Sequence, residues 1–352
     1  MMKQATLLIT VFLLTFIIMI AGGEFYLRYK LPYYDYANQK VHPPCQEDPV
    51  IGWTNNKNTD KLLCLSPNGK TITVTHTADG RRISSAEKLA KSDHRDQLVV
   101  VGCSMTYGYG LSDEETWPWL LQQKLPCLKV LNYGTPGYGT YHCLLMLEQV
   151  LSTLSSPKIV LYGFIEHHLI RNVATPLWWA LQNPTRQKKI ILPYVDIENN
   201  KLIRYPPVPV KHWPLSQSLA IVKTAEILYL QTFQDPQYFI KMDPAWQFLM
   251  TDMRDLCANH GCRLVVIILN IDHSSEKNFY KNFLELNRIE YIDADIGLRQ
   301  DLLLEGDPYS HPNQKANQAW AEIINSHIFC GANGKIASGG SCPELLRFGA
   351  KD

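Results

Sequence analysis

The chain has 352 residues, with 34 Lys and Arg against 33 Asp and Glu, a formal net charge of +1 and only short basic runs. That balance excludes a nucleic-acid backbone partner, which needs a concentrated positive face, and leaves small or neutral partners. At 46% hydrophobic residues the chain can bury the core of one large or two modest domains.

After Met1-Met2-Lys3-Gln4, the segment from Ala5 to Gly23 carries no charge and is dominated by Leu, Ile, Val and Phe. About 20 apolar residues span the hydrocarbon layer as a helix, whereas a cleavable signal has a shorter apolar centre. Residues 1–30 are therefore expected to form a membrane anchor, with a signal peptide cut near Ala21-Gly22-Gly23 as the alternative. Either one sends the rest of the chain across a membrane. Lys3 before the span and Arg28 and Lys30 after it leave orientation by flanking charge open. Residues 31–95 read as an extension that begins in a Tyr- and Pro-rich stalk. In it the turn residues Pro67-Asn68-Gly69 precede alternation over Thr71 to His76, the sign of a β-hairpin.

Nine cysteines, several of them close in sequence (Cys45 and Cys64, Cys127 and Cys143, Cys257 and Cys262, Cys330 and Cys342), suit disulfides in an oxidising space such as a periplasm. The odd count leaves Cys103 as the unpaired candidate, because the residue beside an exposed serine on a core strand points inward. No CxxC pair occurs, so a zinc site is not expected; no cofactor is expected.

From Gln97 onward the pattern changes to short apolar runs: Gln97–Gly102, Leu128–Asn132, Lys158–Gly163, Arg263–Asn270 and Ile289–Asp293. Strands buried on both faces of a parallel sheet look like this. Helical periodicity covers Glu115–Lys124, Tyr141–Leu154, Asp243–His260, Glu276–Leu286 and Pro312–His327. The alternation predicts an α/β domain over residues 96–330, a three-layer α/β/α sandwich on a five-stranded parallel sheet, with its site at the carboxyl ends of the strands. Between 172 and 214 the chain is crowded with Trp, Tyr and Pro and lacks a clean period, as an insertion covering the strand ends would. An amphipathic helix is expected over Leu215–Thr232, and residues 331–352 form a tail.

Ser104 stands where the first core strand ends, a position from which a serine is presented at the mouth of the sheet beside backbone N–H groups. The second strand exits through Asn132-Tyr133-Gly134-Thr135-Pro136-Gly137, whose bare glycine backbone admits close approach. A polar exit, Glu166-His167-His168 with Arg171-Asn172 beyond, comes after the third strand, and Asp307-Pro308-Tyr309-Ser310-His311 precedes the last helix. Taken in order, Gly102-Cys103-Ser104-Met105-Thr106 with Gly108 and Gly110, then Asn132 to Gly137, then Asp307 and His311, the blocks resemble the SGNH branch of the GDSL hydrolases from Gln97 to about His327.

The resemblance implies a flavodoxin-like sheet and acyl transfer through a Ser104–His311–Asp307 triad. The oxyanion donors would be the backbone N–H groups of Ser104 and Gly137, with His167 where the family carries an Asn. Two further departures are Cys103 where Asp is usual and a spacing one residue longer between Asp307 and His311, which leaves Asp301 as an alternative partner for the imidazole. The activity implied is a membrane-anchored extracytoplasmic esterase acting on a small-molecule or carbohydrate ester. An O-acetyltransferase of envelope polysaccharide and an inactive binding or scaffold protein are the alternatives. His142, His212, His260, His273 and His327 share no ligand spacing and read as surface or helix-end residues.

Overall fold

The computed structural model describes residues 2–30, 45–86, 95–126, 128–155, 157–181 and 191–328. The expected tail at 331–352 and Cys127, Cys330 and Cys342 lie outside the described residues. The chain forms two compact units, one from 1–39, 175–191 and 209–235 and the other from the remainder.

The first unit contains the N-terminal helix α1 (Met2–Lys30), α6 (Pro176–Leu181) and α7 (Ala220–Thr232). From Gln4 to Lys30, α1 is long and apolar enough to cross a membrane, and none of its apolar stretch is buried. The helix expected from Leu215 begins at Ala220, where Glu24 accepts hydrogen bonds from the Ala220 and Ile221 N–H groups. A carboxylate there satisfies two of the four unpaired N–H groups of a first helical turn.

The second unit opens with two antiparallel ribbons, β1 (Cys45–Asp48) with β2 (Gly52–Asn55) and β3 (Leu62–Leu65) with β4 (Thr71–Val74). The second is the hairpin expected around Pro67-Asn68-Gly69. The α/β part then runs as β5 (Asp96–Gly102), α2 (Ser104–Tyr107), α3 (Trp117–Lys124), β6 (Leu128–Asn132), α4 (Thr140–Val150), β7 (Pro157–Ile165) and α5 (His168–Asn172). After the ribbon β8 (Ile191–Glu198) and β9 (Lys201–Pro209) come α8 (Pro236–Asn259), β10 (Arg263–Asn270), α9 (Ser274–Leu286), β11 (Glu290–Asp293) and α10 (Gln314–Ile328). The five core strands pair in parallel in the order β11-β10-β7-β5-β6.

Two apolar layers fix the sandwich. On one face Val99, Val101, Val160, Tyr162 and Val266 pack with Leu144 of α4 and Trp246 and Leu249 of α8. On the other, Leu98, Val100, Leu161 and Ile267 pack with Trp117 and Leu121 of α3 and Trp320 and Ile324 of α10. Alternate residues of one strand thus serve opposite layers, so the sequence reads as unbroken apolar runs.

Several expectations are corrected. Within the 172–214 interval, residues 192–208 form most of the β8–β9 ribbon and lie on the helical layer: Arg204 pairs with Glu148 of α4 at 2.7 Å and Asp196 with Lys241 of α8 at 2.6 Å. This part covers helices, not strand ends. No disulfide joins Cys64, Cys103, Cys143, Cys257 or Cys262. Cys103 packs under α3, Cys64 packs against Ile72 and Val74, and Cys143, Cys257 and Cys262 share the opposite layer, where the Cys262 thiol donates to the Cys257 carbonyl at 3.2 Å. Cys103 does point inward. His142 is fully buried between the rings of Trp53 and Tyr138, and the His212 side chain is buried beside Lys223 and Glu226. Neither is a surface residue.

Candidate active site

At the end of β5, Cys103 is the last extended residue and Ser104 starts the one-turn helix α2. The Cys103 carbonyl accepts from Thr106 and Tyr107 N–H at 3.0 and 2.8 Å, and the Ser104 carbonyl accepts from Gly108 and Tyr109 N–H at 2.9 and 3.0 Å. So tight a return over the sheet needs room. Gly102 and Gly163, register partners on β5 and β7, provide it, since a Cβ on either would lie 2.1 or 2.2 Å from Thr106 Oγ1.

His311 reaches this turn from the loop before α10. Its Nε2 lies 2.9 Å from Ser104 Oγ, and its Nδ1 lies 2.8 Å from Asp307 Oδ2. The same carboxylate oxygen accepts the His311 backbone N–H at 2.6 Å. The extra residue between Asp307 and His311 is absorbed at Ser310, which adopts a left-handed φ of 57°. Asp301 pairs instead with Arg299 on the surface. The loop is tied by the Leu304 N–H to the His311 carbonyl and the Asn313 N–H to the Leu302 carbonyl, both at 2.8 Å. Tyr109, absent from the expected set, lays its ring 4.3 Å from the imidazole. Burial, and then the Asp307 carboxylate, push its phenol above the ordinary range.

The other two expected donors stand at neighbouring strand ends. Gly137 comes after β6 at a left-handed φ of 85°, and a Cβ there would come within 3.0 Å of the Trp53 ring. Trp53 Nε1–H donates to the Pro136 carbonyl at 2.9 Å, and Asn55 Nδ2–H donates to the Gly134 carbonyl at 3.1 Å. His167, two residues past the end of β7, is exposed, caps the start of α5, and has no side-chain hydrogen bond among the described residues. Directly after it His168 is fully buried, with Nδ1 2.6 Å from Tyr162 Oη, which lies 2.8 Å from Thr140 Oγ1. Asn172 Nδ2–H donates to the same threonine at 3.1 Å, so the exits of β6 and β7 share one buried polar chain.

Sequence reasoning missed Arg82, which holds the Ser104 turn from beneath. Its side chain is fully buried; Nε pairs with Asp113 at 2.9 Å, and the other nitrogens donate to the Tyr107, Gly108 and Leu111 carbonyls at 3.0, 2.7 and 2.6 Å. The only hint in sequence was an arginine soon after a turn glycine, Gly80-Arg81-Arg82.

No protein-family model and no curated protein matches the chain. Among solved structures it is similar to a putative lipolytic protein of the G-D-S-L family from Desulfitobacterium hafniense, at 14% identity over 66% of this chain and 98% of that one, with a TM-score of 0.39. A psychrotrophic esterase from a Pseudoalteromonas species matches at 13% identity, over 65% of this chain and 94% of that one, with a TM-score of 0.38. A lipolytic G-D-S-L protein from Veillonella parvula matches at 11% identity, over 65% and 95%, with a TM-score of 0.38.

Proposed function

We propose that the protein is an SGNH-type serine ester hydrolase, anchored to a membrane by α1 and acting on a small-molecule or carbohydrate ester outside the cytoplasm. The observation that carries the reading is the continuous contact from Ser104 Oγ through the His311 imidazole to the buried Asp307 carboxylate, 2.9 and 2.8 Å long. The carboxylate accepts a hydrogen bond from Nδ1–H, which leaves Nε2 unprotonated and able to take the serine proton. Ser104 then attacks the ester carbonyl, His311 passes its proton to the leaving alcohol, and Asp307 stabilises the imidazolium; a water molecule repeats the cycle to free the acid.

The backbone N–H groups of Ser104 and Gly137 and an imidazole N–H of His167 act as the oxyanion donors, and a His167 ring without an internal partner is free to do so. The anchor reading is supported by the length and apolarity of α1. Hydrolysis of short p-nitrophenyl esters tests the activity. The native chain is expected to turn them over and Ser104→Ala to lose that activity; equal rates in the two would end the proposal. Running the assay with sugar acceptors separates hydrolysis from acyl transfer.

A further inference from the structure

Helix α7 buries charged side chains between Ala220 and Ile227 and exposes apolar ones. Its inward positions include Lys223 and Glu226, 3% and 2% exposed, while Leu228, Tyr229 and Phe233 at its outward face and end are 57%, 49% and 65% exposed. The loop before it exposes Trp213, Leu215 and Leu219 as well. A helix facing water has the opposite arrangement, charge outside and the apolar stripe against the core. The inward charges have partners. Lys223 Nζ donates to the Ala180 carbonyl and lies 3.7 Å from Glu226 Oε2. The Glu226 carboxylate in turn accepts the Trp213 N–H at 2.9 Å and the Ser216 hydroxyl. Burying a lysine and a glutamate is tolerable only when they are paired in this way.

The attachment of α7 to α1 says what its outward face meets. Glu24, the first charged residue after the apolar span, accepts the Ala220 and Ile221 N–H groups at 2.8 and 3.0 Å, and Arg28 Nη2–H donates to the Ser218 carbonyl at 2.6 Å. Helix α7 therefore starts at the level where α1 leaves the hydrocarbon layer, and at 1.5 Å per residue it extends only about 20 Å from there. Trp213, Tyr229 and Phe233 form a run of tilted ring contacts, with centroids 5.4 and 4.9 Å apart. Aromatic and aliphatic side chains on a helix that begins beside Glu24 and Arg28 have the composition of an interfacial anchor.

We propose that the 213–233 surface is a second membrane contact, its outward apolar face seated in the headgroup boundary of the bilayer that α1 crosses. This rests on reading α1 as a membrane anchor. The test places a nitroxide amino acid, one position at a time, at Ile17, Tyr229, Phe233 and the exposed Leu286 of the full chain, reconstituted in phosphatidylcholine–phosphatidylglycerol vesicles. Collision with oxygen, which partitions into lipid, is compared with collision with a water-soluble nickel chelate. Oxygen is expected to dominate at 17, 229 and 233 and nickel at 286. Lipid contact at 17 with nickel access at 229 and 233 overturns this proposal alone. Shielding of 229 and 233 from both reagents overturns it in favour of a protein partner or a second copy. Nickel access at 17 overturns the anchor and this proposal with it.

Discussion

Ser104 and His311 meet at 2.9 Å, yet the two walls that bring them together are built differently. The serine wall is dry and ionic. Arg82 spends its donors on Asp113 and three carbonyls of the turn, and His76 Nε2 lies 2.9 Å from the Tyr107 hydroxyl beneath it. The histidine wall is a surface loop. Main-chain bonds, the Asn313 side-chain amide and one carboxylate oxygen hold it, and Tyr309 and Ser310 are exposed. A buried ion that loses its partner costs far more than a surface loop that loses one hydrogen bond. The two walls should therefore fail in different ways, the first through folding and the second through chemistry.

The largest effect tests their meeting point. Ser104→Ala is expected to lower ester turnover by about 10⁴-fold or more with an unchanged melting temperature, because it removes the nucleophile and only one oxygen atom from the packing. Asp307→Asn, on the open wall, should lower kcat by about 10³- to 10⁴-fold and leave stability nearly unchanged. An equal loss of stability in a denaturant titration would show that the loop is not the independent element described.

Arg82→Met on the dry wall is expected to do the reverse. It strands the Asp113 carboxylate and three carbonyls, so the unfolding free energy should drop by about 3–5 kcal/mol. Calorimetry checks this, and a fall below about 1 kcal/mol would remove Arg82 as the support of the turn. His167→Ala should cost on the order of 100-fold in kcat with KM little changed, and His167→Asn should restore most of it.

A separate effect comes with pH. Burial, and then the positive charge of Arg82 or Arg171, pushes His76 down to about 4 and His142 down to about 3. Both would titrate near 6.5 in the unfolded chain, which binds more protons below that pH; stability should decline as pH falls from about 6.5 toward 4 and be insensitive to these groups above 6.5. Melting curves across that range check the sign. His76 sits under the serine turn, so tyrosine fluorescence from the dry wall should change before the loop of His311 loosens.

The same contrast decides how much was legible in sequence. The core strands announced themselves because Leu98 to Val101 face two apolar layers at once. Ser104 stood out because a polar group at a strand exit breaks that apolarity, and Asp307 and His311 because they resemble the family's last block ahead of the final helix. Arg82 could not be found, since its value lies in carbonyls that leave no trace in residue type. The β8–β9 ribbon was hidden by Pro193, Pro206, Pro207 and Pro209, residues that ordinarily argue against a strand and are tolerated here in an isolated two-stranded ribbon. Helix α8 starts at Pro236 and runs through Pro244, which obscured its first two turns. The amphipathic period of α7 was visible, but nothing in the period alone says which face is turned inward.

The most direct test of the shared relay is covalent. The native chain is treated with a fluorophosphonate and digested, and the adduct is located by peptide mass spectrometry. One modification is predicted, on Ser104, formed at least about 100-fold more slowly when His311 is replaced by alanine. Labelling elsewhere, or labelling of Ser104 at the same rate without His311, would contradict the relay.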